Sequence, residues 1–265
     1  MTPELIELHP LDLTLAGGLV VLLAVLAWVG RLGVTRPMLI AAARTVVQLL
    51  LVGLILETLF AHATLYWVAL MGLVMLLVAG YEVMARQKRR FAGFWGFGLG
   101  TVAMFLSSFS VAVMALVALV QPDPWYQPQY AIPLLGMLLG NTMNGIALSV
   151  DRLTDGAWQQ RGTIEARLAL GATWSEAVES IRRDAMRSGM IPMINAMAAA
   201  GIVSLPGMMT GQILAGAPPM EAVKYQILIM FLITVGTGFG TLAAVWFAAR
   251  RLFDERERLR LDRLR

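Results

Sequence analysis

Seven apolar runs divide the chain, at 13–30, 38–59, 65–84, 94–120, 131–150, 190–213 and 225–249. Each is close to the roughly 20 residues a helix needs to cross a hydrocarbon core of about 30 Å. The runs are continuously apolar and lack the period-2 alternation of membrane β-strands. Helices also satisfy their own backbone hydrogen bonds in lipid, which open sheets do not. The pattern predicts an all-α polytopic membrane protein with about seven transmembrane helices, forming a single transmembrane domain over 1–265.

Most connections are short: 31–37, 60–64 and 85–93 read as turns. The loop 121–130 carries three Pro and three aromatics and reads as a membrane-interface anchor. The one long excursion is 151–189. Within it, two helical pieces are expected around Gly171. Thr173 and Glu176 have capping-box spacing at the start of the second piece. Trp174, Ala177, Val178, Ile181 and Ala185 then form an apolar face, with Glu179 and Arg183 as an i, i+4 pair on the other. That face suits either a helix lying at the lipid interface or contact with a soluble partner. In the sixth run, Pro206 removes a backbone donor and Gly207 loosens the same turn, so a hinge, a pathway-lining break or a packing kink is expected there. Gly96/Gly100, Gly136/Gly140, Gly207/Gly211 and Gly236/Gly240 have GxxxG spacing, which lets membrane helices approach closely.

Charge orients this map. Of 21 Lys and Arg residues, only Lys224 falls on one side of the seven-span arrangement. By the positive-inside rule the N-terminus is expected outside and the C-terminus in the cytosol, with 151–189 cytosolic. The net charge of +4 comes from residues flanking spans, so no nucleic-acid partner is expected; the lipid bilayer is. The tail from Arg250 onward reads as a solvated helical extension of the last span. The first residues hold acids and no basic stretch, so the first run reads as a retained span rather than a cleaved signal.

The chemistry-bearing residues are few. The chain has no Cys and two His, His9 and His62, which leaves no thiolate or imidazole metal cluster; a metal site remains unassigned. Neither Lys88 nor Lys224 follows a Gly, so the phosphate-cradling loop of ATPases is absent. No acid–base pair or nucleophile stands out, and the chain is not expected to be an enzyme. Polar residues inside the runs are the candidates for pathway or packing roles, because lipid penalises them. Arg44 lies roughly 9 Å into its run at 1.5 Å per residue and is expected to pair with Glu82. Gln48 follows one turn deeper. Asn141 and Asn144 are i, i+3 partners suited to helix–helix hydrogen bonds or ligand contact. Glu57 lies near the outer end of its run, at the interface or lining a cation-binding cavity. Met190, Met193 and Met197 share a face, which reads as gap-filling rather than soft-metal binding.

At 165–172 the chain reads EARLALGA, with Ile191–Pro192 closing the segment. This resembles the EAA loop of ABC-transporter permeases. The resemblance sharpens with the FetB-type iron-export permeases and their plant aluminium-tolerance relatives. It is carried by AARTVVQLLLVG (42–53), IPLLGMLLGNTMN (132–144), EARLALGAT (165–173), GIVSLPGMMTGQILAG (201–216) and AVKYQI (222–227). It implies the permease subunit of an ATP-driven exporter in a bacterial inner (plasma) membrane. Glu165, Ala166, Leu170, Gly171 and Ala172 would couple to a separate ATPase subunit, which would carry the ATP and Mg. A homodimer of the permease is implied. Iron or a related metal cation is the expected cargo, and a nucleotide sugar or other organic anion the alternative. A secondary transporter or channel would need no ATPase, but no clear internal repeat supports it.

Overall fold

The computed structural model describes residues 9–265; the acidic N-terminal stretch before His9 lies outside the described residues. The helices are α1 Pro10–Val29, α2 Thr35–Ala61, α3 Leu65–Ala85, α4 Phe94–Met104, α5 Ser110–Met114, α6 Pro128–Gln159, α7 Arg161–Ala169, α8 Trp174–Ala177, α9 Glu179–Ala199, α10 Gly207–Leu214 and α11 Pro219–Arg251. Two π-helical stretches, Phe105–Phe109 and Ala115–Val120, extend α4 and α5 into one membrane-length element.

Among the described residues, six helices are long and apolar enough to cross a membrane. They match six of the seven expected runs. The seventh, 190–213, is not one helix. α9 starts well before it and ends at Ala199, and α10 resumes at Gly207. Gly201 adopts a left-handed φ of +81°, and the carbonyl of Ala199 accepts from the N–H groups of Ile202, Val203 and Ser204. The break therefore falls at 200–206, just before the expected Pro206–Gly207 step. Gln226 of α11 reaches across to accept from the Met209 N–H at 3.3 Å, satisfying one orphan donor of the restarted helix. Pro192 does not end α9, which runs through it. The end of the 151–189 excursion and the sixth run therefore share a helix.

The chain forms two compact units, one of residues 1–63 with 214–216 and one of 64–213 with 217–265. In the first, α1 and α2 pack together, and Ala24, Ala27 and Leu59 are its buried apolar residues. The second unit is built around α6, which contacts α3, α4, α9 and α11. Small residues set these crossings. A Cβ on Gly189 of α9 would lie 2.6 Å from the carbonyl oxygen of Gly145 on α6, and one on Gly145 would lie 2.7 Å from Thr237 Cγ2 of α11. Gly240 is similarly closed in, by Thr142 Cγ2 at 2.5 Å and Ser107 Oγ at 2.8 Å. The GxxxG motifs divide: Gly96, Gly100, Gly136, Gly236 and Gly240 sit at close contacts, whereas Gly140, Gly207 and Gly211 face open space. The Gly145–Gly189 contact belongs to none of them. The methionines fill gaps against α11. Met190 approaches Gly238, and Met197 Sδ accepts from Thr234 Oγ1 at 3.1 Å.

Candidate functional site: the coupling segment and its braces

The segment after α6 is built from local rules. α6 continues to Gln159, so 151–159 is part of the fifth helix rather than a separate piece. α7 is anchored by Ile164, which is fully buried. It ends in a Schellman motif: Gly171 has φ +92°, its N–H donates to Leu168 O at 3.0 Å, and the Ala172 N–H donates to Arg167 O at 3.1 Å. No atom lies within 4 Å of the Gly171 Cβ position. Glycine is needed there for backbone freedom, not for space. The turn projects Leu170, which is 88% exposed. Glu165, Ala166 and Gly171 are exposed beside it, and Ala172 is half-buried.

α8 then starts as expected. Thr173 Oγ1 accepts from the Glu176 N–H, and the Glu176 carboxylate accepts from the Thr173 N–H at 2.8 Å. The Thr173 N–H, and then the Thr173 hydroxyl donating to the same carboxylate at 2.8 Å, hold the Glu176 carboxyl below its ordinary pKa. Arg167 Nη1 donates to Ala177 O at 3.3 Å, tying α7 to α8. The apolar face of the second piece does not lie on lipid. Ala177, Val178, Ile181 and Ala185 are buried, and Ile181 Cγ2 would lie 2.8 Å from a Cβ on Gly156 of α6. Protein rather than membrane covers that face.

The tail also departs from expectation. It is not a helical extension: α11 stops at Arg251 and the chain folds back. Arg263 Nη1 donates to the carbonyls of Arg251 (2.7 Å) and Phe253 (3.1 Å), and the Arg260 N–H donates to Leu252 O (2.7 Å), so the orphan carbonyls at the helix end are capped. Arg265 and Arg90 exchange backbone hydrogen bonds, which pins the tail to the 85–93 loop. The turn at Asp254 is held by Arg256 and Arg258, whose backbone N–H groups each donate at 2.9 Å, and by the Arg258 guanidinium. These bonds lower the Asp254 carboxyl to a pKa of about 2.

The turn delivers Glu257 to the coupling segment. Its carboxylate accepts from the Trp174 N–H at 2.9 Å, at the N-terminus of α8. Phe253 packs on the Trp174 ring with centroids 6.1 Å apart, and the Arg250 guanidinium lies 5.7 Å over that ring. Glu165, Leu168, Ala169, Gly171 and Ala172 face Arg256–Leu259 across a groove of about 530 Å³. Of the five residues expected to couple, Glu165, Gly171 and Ala172 line this groove, while Ala166 and Leu170 are exposed on the same turn of chain.

The intramembrane candidates are placed as follows. Asn141 donates to Met137 O in its own helix at 2.8 Å. Asn144 accepts from Arg86, which also lies 3.6 Å from Glu82. Arg44, Gln48 and Glu57 are exposed positions along α2; Arg44 is not left without a partner. Pro206 and Gly207 lie at the start of α10. Among the described residues, no three His, Asp or Glu side chains converge on a metal-sized site.

A polar ladder went unread. Asn144, Asp151 and Asp155 recur at helical spacing on α6 and take up the 86–89 loop in order. Arg86 donates to Asn144, the Lys88 N–H donates to Asp151 at 2.7 Å, and Arg89 pairs with Asp155 at 2.7 Å. The Arg89 guanidinium also lies 4.7 Å over the Trp158 ring. The legible signal was the i, i+7, i+11 spacing of polar residues opposite a basic run.

Residues 10–253 match the profile of a family described as "Uncharacterised protein family (UPF0014)". The chain is 40% identical over 264 residues to "UPF0014 membrane protein slr1647" of Synechocystis sp., covering 98% of this chain and 99% of that one. It is 35% identical over 213 residues to "Protein ALUMINUM SENSITIVE 3" of Arabidopsis thaliana, covering 80% and 76%. It is 28% identical over 259 residues to "Probable iron export permease protein FetB" of Escherichia coli, covering 96% of each. No solved structure matches the chain.

Proposed function

The chain belongs to the UPF0014 family of multi-pass membrane proteins, and on that premise we propose that it is the permease subunit of an ATP-driven exporter. A separate ATPase docks on the segment from Glu165 to Ala172. The carrying observation is the Leu170–Gly171–Ala172 turn, an exposed apolar tip held by a Schellman motif and braced from behind by Glu257. An exposed leucine on a rigid turn suits insertion into a groove of a soluble partner. Two permease copies and two ATPases form the working unit, with the basic loops on the ATPase side. The proposed cargo is a metal cation, iron being the one in the printed name of the Escherichia coli relative.

The test is co-purification with the ATPase, followed by ATP-dependent iron uptake into inverted vesicles. Leu170→Asp and Gly171→Glu insert normally but lose ATPase association or leave hydrolysis uncoupled from transport. Unchanged association and transport in both variants overturns the docking role. Sidedness is read from single cysteines at Lys88 and Gln127, which label from opposite faces. Lys88 is the better probe than its neighbour Gln87, whose side chain is buried.

A further inference from the structure

An apolar groove of about 380 Å³ runs along α4 on the outer surface of the second unit. Phe94, Trp95, Gly98, Leu99 and Val102 line it from α4, and Phe247 closes it from α11. Gly98 forms its floor, with no atom within 4 Å of where a Cβ would project. Phe94 is 85% exposed, and Trp95 and Val102 are exposed beside it. From Trp95 to Val102 the helix rises roughly 10 Å at 1.5 Å per residue, which lies within the roughly 15 Å of one leaflet's hydrocarbon.

The end of the groove is cationic. The Arg251 guanidinium lies 4.6 Å over the Trp95 ring. Its Nε has no hydrogen-bond partner, and among the described residues no carboxylate forms an ion pair with it. The side chain packed onto the Arg251 carbonyl is another cation, Arg263. Three of the tail's four acids are engaged elsewhere: Asp254 by Arg258, Asp262 by Arg260, and Glu257 by the Trp174 N–H. A slot for one hydrocarbon chain thus meets a guanidinium lacking a counter-charge, at the arginine-rich end of the span.

We propose that this groove binds an anionic glycerophospholipid of the inner leaflet, one acyl chain lying along Gly98 and the phosphate facing Arg251. The acyl chain replaces water or disordered lipid against the exposed aromatics. A guanidinium forms paired hydrogen bonds to phosphate oxygens, which its planar fork matches. A zwitterionic lipid brings its own ammonium and leaves the excess positive charge of Arg251 and Arg263 uncompensated, so net negative headgroups are preferred. The inner leaflet supplies such headgroups next to basic juxtamembrane residues. The site does not depend on what the protein transports.

The test uses the full-length permease in detergent, titrated with phosphatidylglycerol or phosphatidylcholine. Bound lipid is counted by native mass spectrometry, and the melting temperature and oligomeric state are followed in parallel. Wild type retains phosphatidylglycerol preferentially and melts higher with it. Gly98→Leu fills the floor, folds because the site is open, and loses the retained lipid. Arg251→Gln keeps acyl binding but loses the preference, with phosphatidylglycerol bound roughly tenfold more weakly, the factor one charge-assisted hydrogen bond carries. Equal retention of the two lipids by wild type overturns the proposal, as does unchanged phosphatidylglycerol retention in Gly98→Leu. If Gly98→Leu instead splits a dimer while lipid retention stays the same, the groove is an interface between copies and the lipid assignment is wrong. Should Arg251→Gln fail to fold, the wild-type preference and Gly98→Leu decide.

Discussion

Where α6 crosses α9, the contact is backbone on backbone, with a Gly189 Cβ position only 2.6 Å from the Gly145 carbonyl oxygen. Two turns further along, the same helix meets the 86–89 loop through charged side chains, Asp151 to the Lys88 N–H and Asp155 to Arg89. The two regions of α6 are held by different kinds of contact. In lipid, apolar side chains gain little by leaving one apolar medium for another, so helices associate by close van der Waals contact between small residues. At the polar end, directional bonds from the loop to Asp151 and Asp155 hold the layer together. The crossing even tolerates buried hydroxyls at Ser108, Thr142, Thr237 and Thr241 that lack hydrogen-bond partners. Close packing holds them in place without those bonds.

If that contrast is right, the largest loss comes from adding volume at the crossing. Gly189→Leu drives a side chain into the Gly145 carbonyl and the Thr241 methyl, with no flexible neighbour to yield. Overpacking of this kind costs about 3 kcal/mol or more, enough to abolish a monodisperse peak in size-exclusion chromatography of the solubilised protein. Gly140→Ala serves as the control, since Gly140 has open space at its Cβ position and belongs to a more obvious GxxxG motif. A Gly140→Ala variant that also unfolds would show that the motif, and not the contact, sets the packing.

Removing a directional bond from the polar layer does less. Glu257→Ala frees the Trp174 N–H at the start of α8, a loss comparable with a helix N-cap at about 1 kcal/mol. Glu257 sits at φ +59°, a left-handed conformation that costs any residue with a Cβ energy, Ala included, and that only glycine adopts freely. Glu257→Gly therefore destabilises less than Glu257→Ala. Hydrogen exchange at 174–178 speeds up in both variants, while exchange across α6 and α11 stays unchanged. Uniform acceleration through the membrane helices would mean that the tail carries the fold rather than bracing one segment.

How far the sequence reveals each region follows from the same contrast. Span positions were legible because lipid thickness imposes run length, and sidedness was readable as an expectation because arginines cluster. The α9–α10 break was half-legible. Hydropathy reports composition and counted 190–213 as a span, while Pro206 marked a weakness next to the actual left-handed turn at Gly201. The apolar face from Trp174 to Ala185 was visible as periodicity, but periodicity does not say what covers a face, and α6 covers it. The tail misled because its mixed charges suit a solvated helix. Its fold depends on Arg263 reaching back to the carbonyls of Arg251 and Phe253, and on an Asp254 turn, contacts that no local pattern announces. The local geometry of 165–177 was the most legible feature, since a Schellman glycine and a capping box are local in sequence.

Acid should loosen the polar layer before the crossing. Asp254 has its carboxyl pKa lowered from 3.8 to about 2, chiefly by the Arg258 N–H. A depressed folded-state pKa gives stabilisation that is fully present above the unfolded value and lost as pH falls through the folded one. The window is therefore from about pH 4 down to about pH 2. Over that range, hydrogen exchange at 254–260 accelerates in the wild type. In Asp254→Asn it is already fast at neutral pH and changes little. Identical pH profiles for the two proteins would remove Asp254 as the hinge of the tail.

The smallest effect belongs to the most exposed pair. Arg183 and Glu179 are i, i+4 neighbours in contact, with side chains 76% and 46% exposed. Such pairs contribute about 0.3–0.5 kcal/mol and are screened by salt. Arg183→Gln should shift the melting temperature by no more than about one degree at low salt, and the shift should vanish in high salt. The opposite face of the same helix carries Ile181 against Gly156. Ile181→Ala leaves a cavity there and costs about 2–4 kcal/mol whatever the salt. A salt-dependent loss in Ile181→Ala, or a salt-independent one in Arg183→Gln, would mean that the two faces of α9 have been assigned to the wrong surroundings.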